Sequence, residues 1–345
     1  MNAPLPPATT ATHLFPGPDA RDALPAGLRP EGAREHAELA FEATPDGWRC
    51  SVALPELAAD ALLVPSLVLA DQLPGAYAMS LRWGGADEGI DLAPIAVRPG
   101  ATLTVAKARM ERVEIAGAAA TGGLDCVETR DALPAPVLVL HGSGPAPTDA
   151  LLLVSVRQRR IAVQDDGATA PDLDVPAFSQ MTRPKEIARH VCSPVSVAMV
   201  LAAAGRRLDP EAFARACEHP DHSHLFGMWP LNLARARNEG FGGLVRLFDR
   251  VEEIARLLAA GVPVVASIRF DDGALPGAPL ARTGGHLVVL RGLAADSVLV
   301  NDPAAPSDDA VTRRYDRAPF LEAWLADRGV GYLLWPRSGN GGGSE

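Results

Sequence analysis

Between residues 34 and 165 the hydrophobic positions fall in short runs, several of which alternate with polar positions and end at turn-forming residues. The runs cover residues 48–54, 61–70, 77–83, 102–106, 113–115, 137–140 and 151–156. Glycine or proline pairs at 84–85, 99–100 and 122–123 lie between some of them. Short alternating runs at this spacing are typical of antiparallel strands in two packed sheets. The pattern therefore predicts an all-β sandwich over residues 34–165, and we find no catalytic constellation within it.

The pattern changes after residue 175, where longer apolar stretches come first and short strand-like runs follow. Helices are predicted after Pro194 and over 210–218, 231–238 and 251–260, and strands over 264–270, 286–290 and 298–301. Helices followed by an antiparallel sheet indicate an α+β arrangement. The sequence thus predicts two domains, the β-sandwich and an α+β domain over residues 176–337.

Three segments show no such periodicity. Residues 1–33 are rich in proline, alanine and threonine, and we expect them to form a flexible arm. Residues 166–175 are predicted to be a linker between the domains, and the glycine-rich residues 338–345 a flexible tail.

Composition and charge exclude several classes of protein. The 345 residues include 32 Lys and Arg against 42 Asp and Glu, a formal net charge of −10. This acidic balance argues against a nucleic-acid-binding surface, which needs clustered basic side chains. No apolar run reaches the roughly 18 residues of a membrane helix, and the N-terminal residues lack the pattern of a signal peptide. We therefore expect a cytoplasmic protein without a membrane segment, and export by another route stays open.

The four cysteines are too few to form a disulfide scaffold in a chain of this length. Spacing does not decide whether Cys50 and Cys126 pair. Cys192 is the most informative of the four because it comes just before Ser193-Pro194 and a long apolar stretch that ends at Gly205. This pattern predicts a buried helix with Ser193 as its N-cap. The positive end of such a helix lowers the pKa of a nearby thiol, although a small buried hydrophobe is an equally good interpretation of Cys192.

His286 and Asp302 are the second candidate pair. A hairpin centred on Ala294 places them opposite one another at its open end, with their Cβ atoms about 5 Å apart. A carboxylate in that place holds an imidazole in one tautomer and stabilises its protonated form. A purely structural pair at a strand end is the alternative. Gln180, upstream of Cys192, is a candidate to share an oxyanion hole with the backbone N–H of Cys192, although a lone glutamine in a loop is usually just solvated.

Two further groups have both a functional and a structural interpretation. Cys217, His219, His222 and His224 lie close enough in sequence to bind a metal, but their spacing matches no zinc motif and a solvated loop is the better interpretation. Trp229 and Asn232 are candidates to line a peptide-binding cleft. A core tryptophan and an amide near a helix start are the ordinary alternatives.

Several short segments together resemble the cysteine peptidase family thirty-nine-like group, relatives of the bacteriocin-processing double-glycine peptidases in the papain-like class. They are residues 178–180, 191–196, 229–230 with Gly227 and Asn232, 285–289 and 301–303. The resemblance covers residues 175–337 and implies a nucleophile at Cys192, a general base at His286, an orienting Asp302 and an oxyanion donor at Gln180. Ser193 departs from the family pattern, since many relatives have glycine there. The membrane and ATPase segments of bacteriocin exporters are not found, so we do not expect such an exporter.

These observations predict a cysteine hydrolase, a peptidase or amidase that cleaves a peptide or amide bond through a thioester acyl-enzyme. The expected partner is a peptide or protein substrate, and the mechanism requires no metal or organic cofactor. Two alternatives stay open. The same residues could transfer the acyl group to an amine, as in a transglutaminase, or the chain could be an inactive peptidase-like binding protein.

Overall fold

The computed structural model describes residues 9–20, 23–70, 76–84, 88–92, 95–96, 119–122, 126–219 and 223–337. The described part is mostly β-sheet with a few helices. The strands predicted at 102–106 and 113–115, the pair at 99–100 and the tail at 338–345 lie outside the described residues. Within the described residues, no helix combines the length and the apolar character needed to cross a membrane.

The first half of the chain forms two sheets. One has the strand order β2-β1-β12-β5-β10-β9, and the other β3-β4-β11-β6-β7 with β8 also paired to β6. The strands are β1 (Ala11–Pro16), β2 (Arg34–Glu35), β3 (Phe41–Thr44), β4 (Gly47–Ala53), β5 (Ala61–Leu69), β6 (Ala76–Trp83), β7 (Glu88–Asp91), β8 (Ile95–Ala96), β9 (Ala120–Gly122), β10 (Val127–Thr129), β11 (Val137–Ser143) and β12 (Ala150–Gln158). Strands therefore occur where the alternating runs at 48–54, 61–70, 77–83, 137–140 and 151–156 predict them.

The side chains of β4 alternate, so that Trp48, Cys50 and Val52 are buried and the residues between them are exposed. These three belong to a core that also contains Leu63 of β5 and Leu138 of β11. Both sheets thus contribute to the same apolar layer. Cys50 and Cys126 do not form a disulfide with one another.

The first sheet is covered on both faces by apolar side chains. Leu63 of β5 points into the core between the two sheets, whereas its neighbours Leu62 and Val64 belong to a core built with the helices of the second half. A strand buried on both faces loses the alternation of polar and apolar positions, which is why β5 is apolar at every position except Ser66. The Oγ of Ser66 on this strand accepts a 3.0 Å hydrogen bond from the backbone N–H of Val245 in the second half.

The flexible arm predicted for residues 1–33 is wrong for the segment that begins at Ala11. β1 pairs antiparallel with β12, and β2 pairs parallel with β1. Leu14 and Leu28 are buried in a core shared with the second half. The apolar run in this segment is too short to stand out from its surroundings, and it becomes a strand because the edge of β12 pairs with its backbone.

The predicted linker at 166–175 connects the two halves and is fixed along part of its length. Ala170 and Leu293 exchange backbone hydrogen bonds, and the N–H of Leu173 donates to Arg291 O at 2.8 Å. At the start of the connection, the guanidinium of Arg317 binds both carboxylate oxygens of Asp165 at 2.7 Å.

The second half contains one antiparallel sheet of order β13-β18-β14-β15-β16-β17. Its strands are β13 (Phe241–Leu247), β14 (Val264–Phe270), β15 (Thr283–Leu293), β16 (Ser297–Asn301), β17 (Thr312–Asp316) and β18 (Val330–Pro336), and its helices are α1 (Cys192–Ala203), α2 (Pro210–Ala216), α3 (Trp229–Asn238), α4 (Val251–Ala259) and α5 (Arg317–Leu321). Apolar side chains of α1, α2 and α3 share one core with the sheet, and those of α4 and α5 share another. Three helices come before the first strand of this sheet, in agreement with the predicted α+β pattern. The elements β13, β17, β18 and α5 were not predicted from the sequence.

Candidate active site

Cys192 is the first residue of α1. The helix begins there with Val191 as its N-cap, so the N-cap predicted at Ser193 is wrong. Pro194 is accommodated because the N–H groups of the first helical turn have no partner inside the helix. Ser193 is instead buried and its Oγ lies 2.9 Å from the hydroxyl of Tyr332. The helix ends as predicted near Gly205, which has a φ of +84°.

His286 and Asp302 are in contact, with 2.7 Å between Nε2 and Oδ1. The register of the hairpin differs from the predicted one, because Asn301 pairs with Val289 and the pairing shifts between Leu290 and Gly292. Asp302 follows the last residue of β16 and reaches His286 diagonally. Diagonal neighbours on one face of a sheet are close enough for longer side chains to meet.

Three donors converge on the Asp302 carboxylate, which is 1% exposed. The backbone N–H of Ala304 donates to Oδ1 at 2.9 Å, as does the His286 ring at 2.7 Å, and the Tyr315 hydroxyl donates to Oδ2 at 2.7 Å. Tyr315 was not among the site residues predicted from the sequence. The alternation of β17, in which Tyr315 is the one buried position between exposed and half-buried ones, is the signal that could have found it.

The His286 ring also interacts with the sulfur of Cys192, and each group shifts the pKa of the other. Since Nε2 is bound to Asp302, the ring meets the sulfur through Nδ1. The backbone N–H groups of Leu287 and Ser193 also lower the pKa of this thiol. The ring therefore links a half-buried thiol to a buried carboxylate.

The electrostatics of this trio favour a thiolate and an imidazolium. Burial opposes the charge on each group, but the hydrogen bond and charge of His286 and the two backbone donors lower the pKa of Cys192 below its ordinary value. For His286, burial is likewise outweighed by the Asp302 carboxylate and the Cys192 sulfur, and the pKa is raised. The pKa of Asp302 is lowered, since His286, Tyr315 and Ala304 together outweigh its burial. An ion pair between sulfur and imidazole is the state in which a cysteine is nucleophilic.

Residues 172–332 match the sequence profile of the Peptidase_C39 like family. This part of the chain belongs to the C39-like cysteine peptidase family. The match confirms the family resemblance predicted from the sequence. A crystal structure described as that of a C39-like peptidase from Bacillus anthracis is similar at 18% identity, with a TM-score of 0.37, over 49% of this chain and 98% of the other. No curated protein has a sequence that matches this chain significantly.

Gln180 lies beside the catalytic candidates of the C39-like region. Its backbone N–H donates to Pro303 O at 2.8 Å, one residue beyond Asp302, and its side-chain Nε2 donates to Ala188 O at 2.7 Å. The side chain is buried, and its Oε1 has no hydrogen-bond partner among the described residues. An amide nitrogen has two hydrogens, so one donor of Gln180 is left beyond the bond to Ala188. Its role as an oxyanion donor remains a prediction.

A cleft of about 450 Å³ opens over Cys192 in the C39-like region. Trp229 lines this cleft and packs edge-on against Tyr332, with ring centroids 6.3 Å apart. Asn232 does not reach it. The Asn232 side chain is fully buried, and its Nδ2 donates to Phe226 O and Met228 O. The Asn232 amide holds the 226–228 loop in place, and contact of Asn232 with substrate stays a prediction.

Residues of the first half also line this cleft, a contact that was not predicted from the sequence. Thr121, Cys126 and Glu128 stand in its wall together with Arg328 of the C39-like region. Glu128 and Arg328 form an ion pair. Nothing in the local pattern of β10 signals this, because the contact is made by residues 200 positions apart in the chain.

Cys217, His219 and His224, the described members of the cysteine and histidine cluster, do not form a metal site together. Cys217 and His219 are buried, His224 is exposed, and His222 lies outside the described residues. Among the described residues, no group of three or more cysteine, histidine or acidic side chains is arranged to hold a metal. Burial raises the pKa of Cys217, which makes this thiol unreactive. Cys192 differs from it, since the pKa of Cys192 is lowered.

Proposed function

We propose that the chain is a cysteine hydrolase that cleaves a peptide or amide bond, with residues 176–337 as a papain-like catalytic domain beside a β-sandwich. The observation that supports it is the position of His286, whose ring interacts with the Cys192 sulfur and forms a hydrogen bond with the Asp302 carboxylate. A nucleophile, a base and a group that orients the base, in contact in that order, are the parts that acyl transfer requires.

In the proposed reaction the Cys192 thiolate attacks the carbonyl carbon of a bound peptide, and the carbonyl oxygen becomes an oxyanion. The His286 imidazolium then gives its proton to the leaving nitrogen, the C–N bond breaks, and the amine departs. The remaining acyl group is held on sulfur as a thioester. A water molecule, deprotonated by His286, attacks this thioester, and the acid product leaves as the thiolate and imidazolium are restored.

The oxyanion needs hydrogen-bond donors that already point at it. The backbone N–H of Cys192 suits this role because it is in the first turn of α1, where N–H groups have no partner within the helix. The remaining amide hydrogen of Gln180 is the second proposed donor. Asp302 keeps His286 in the tautomer and orientation that the transfer of protons requires, and Tyr315 in turn holds Asp302.

The first test is the loss of turnover in Cys192→Ala and His286→Ala. Removing either partner of a nucleophile and base pair costs about 10³-fold or more in activity. Cys217→Ala is the matched control, since it removes a buried thiol outside the site, and we expect it to keep its activity. Cleavage is followed by mass spectrometry on a mixture of unstructured peptides, and an added amine shows whether the acyl group goes to water or to nitrogen. Full activity of either site variant would contradict the mechanism.

A second measurement does not depend on knowing the substrate. The rate of iodoacetamide alkylation is read at each cysteine as a function of pH. Because thiolate is present above the lowered pKa of Cys192, we expect fast alkylation of Cys192 well below the ordinary thiol pKa of about 8.5. In His286→Ala the titration should move up towards that value. An accessible Cys192 that titrates like an ordinary thiol in the unmodified protein would instead support an inactive binding protein.

A further inference from the structure

The charges that line the cleft over Cys192 differ in sign from those of the chain as a whole. Among the described residues, its wall contains three arginines, Arg189, Arg269 and Arg328, and one carboxylate, Glu128, whereas the chain has a formal charge of −10. Local positive charge in a concave site raises the concentration of anions there. The site is therefore a cationic recess in an acidic protein.

Two of the three arginines have acidic partners. Arg328 is paired with Glu128, and Arg269 lies 3.9 Å from a carboxylate oxygen of Asp327. Arg189 differs from them, since its side chain is exposed and forms no ion pair with any of the described residues. It is the guanidinium in the cleft that is available to a ligand.

The backbone next to Arg189 is fixed. The carbonyl of Ala188 accepts a hydrogen bond from the side chain of Gln180, and the N–H of Ala188 donates to Pro184 O at 2.9 Å. Arg189 comes three residues before Cys192 on this same segment. A free guanidinium on an anchored backbone beside the nucleophile is suited to a carboxylate, which it binds through two parallel hydrogen bonds.

We propose that this cleft selects substrates with a carboxylate close to the scissile bond, with Arg189 as the residue that recognises it. The inference rests on the proposed hydrolase function and adds the class of substrate. Glu128, contributed by the first half of the chain, neutralises Arg328 and so sets how strongly the cleft attracts anions. The first half is thereby part of the specificity of the site.

The test uses two alkylating reagents of nearly the same shape, the anionic iodoacetate and the neutral iodoacetamide. The ratio of their rates at Cys192 reports the potential in the cleft, and the contribution of His286 is common to every variant. At low salt, Arg189→Gln should lower the ratio roughly two- to fivefold, since the cleft that holds the sulfur loses one positive charge. Glu128→Gln should raise it by a similar factor, because Arg328 is then unpaired.

Lys185→Gln is the matched control. Lys185 is an exposed cation on the same segment and does not line the cleft, so the net charge changes as in Arg189→Gln while the ratio should stay constant. Equal ratios in all four proteins would overturn the proposal. So would an equal decrease in Lys185→Gln and Arg189→Gln, which would show that only the overall charge acts.

The ratio of the two alkylation rates tests the selectivity of the cleft for anions independently of the proposed hydrolase function. If Cys192 has the reactivity of an ordinary thiol, the hydrolase function fails, and the ratio still measures the charge of the cleft. If the enzyme is active, pairs of peptides that differ only as Glu and Gln near the cleaved bond complete the test. The Glu peptide should be favoured by the unmodified protein and should lose that advantage in Arg189→Gln. No preference for either peptide would overturn the assignment.

Discussion

Asp302 combines burial with a complete set of hydrogen-bond donors. Both carboxylate oxygens are occupied, Oδ1 by His286 and Ala304 and Oδ2 by Tyr315. A buried carboxylate without such partners would take up a proton and could no longer stabilise an imidazolium. The Tyr315 hydroxyl, although it does not touch His286 in this network, therefore helps to keep the charge on which His286 depends.

Tyr315→Phe removes one of these donors without changing the shape of the side chain. A hydrogen bond to a charged group contributes about 1.5–3 kcal/mol, and we expect the free energy of unfolding at neutral pH to fall by that amount. Because the pKa of Asp302 is lowered in the folded state, its stabilisation is present above its ordinary pKa and is lost as pH falls through the lowered value. In the variant that pKa is higher, so acid unfolding should begin at a higher pH.

Urea denaturation at a series of pH values measures both effects. Tyr332→Phe is the matched control, because its hydroxyl lies 2.9 Å from the neutral Ser193 hydroxyl and should contribute only about 0.5–1.5 kcal/mol. Equal losses in the two variants, with the same dependence on pH, would mean that Tyr315 does not stabilise the charge on Asp302.

At the scale of the element, Gly329 shows how a turn is fixed by its neighbours. It lies between the helical segment Glu322–Ala326 and β18 and has a φ of +63°. A Cβ at this position would overlap the carbonyl oxygen of Phe248 and come within 2.6 Å of the Arg157 guanidinium. Both the conformation and the space therefore require glycine.

We expect Gly329→Ala to be more destabilising than Gly261→Ala. Gly261 has a similar φ of +79°, but nothing lies within 4 Å of the added Cβ. Gly261→Ala should therefore cost only the conformational strain of about 1–2 kcal/mol, and Gly329→Ala an additional 1–3 kcal/mol or so from overpacking. Thermal or urea unfolding of the two variants measures the difference. Equal costs would show that the neighbours of Gly329 move aside freely.

Elements with their own periodicity were predictable from the sequence, and those that depend on distant contacts were not. β14 was predicted with its observed bounds, Val264–Phe270. β13 was missed because Gly242 and Gly243 interrupt its pattern, yet a Cβ on Gly242 would overlap the ring of Trp335 on the neighbouring strand.

The candidate site shows the same division. Cys192, His286 and Asp302 were predicted, but the register of the hairpin that carries the last two was wrong. Its turn is centred beyond Ala294, since Leu293 pairs with Val298, and the pairing shifts by a further residue near Arg291. One extra residue in a strand leaves no mark on the hydrophobic pattern. Tyr315 and Glu128 were not predicted, because only the tertiary fold brings the Tyr315 hydroxyl to Asp302 and Glu128 to the wall of the cleft.

At the scale of the whole molecule, Arg157 joins the two halves. It is 2% exposed on β12, and its guanidinium donates to Phe248 O and Leu325 O at 2.7 Å and to Asp327 O at 3.2 Å. Burial lowers its pKa to about 10, although Asp249 and Asp327 oppose the shift. Since these carbonyls belong to the second half, one side chain of the first half satisfies several backbone groups across the junction.

Arg157→Met should therefore destabilise both halves together. The stem is retained, but buried carbonyls lose their donor, and we expect a loss of about 3 kcal/mol or more. Hydrogen exchange of β11 in the first half and β14 in the second should show the same loss of protection. Arg160→Met is the control, since this exposed arginine forms a 3.8 Å ion pair with Glu322 and should contribute less than about 1 kcal/mol. A loss of protection confined to one half would contradict a shared core.

The two-sided burial of the first sheet also has a consequence for synthesis of the chain on the ribosome. The face of β5 that carries Ser66 is covered by β13, whose Val245 lies 179 residues further along the sequence. At about 5–20 residues per second, translation needs roughly 10–35 s to reach that position. During this interval the first half can pair its strands while one apolar face stays in contact with water. The surface that later joins the two halves is thus, in the nascent chain, the region most exposed to chaperones and to misassembly with neighbouring chains.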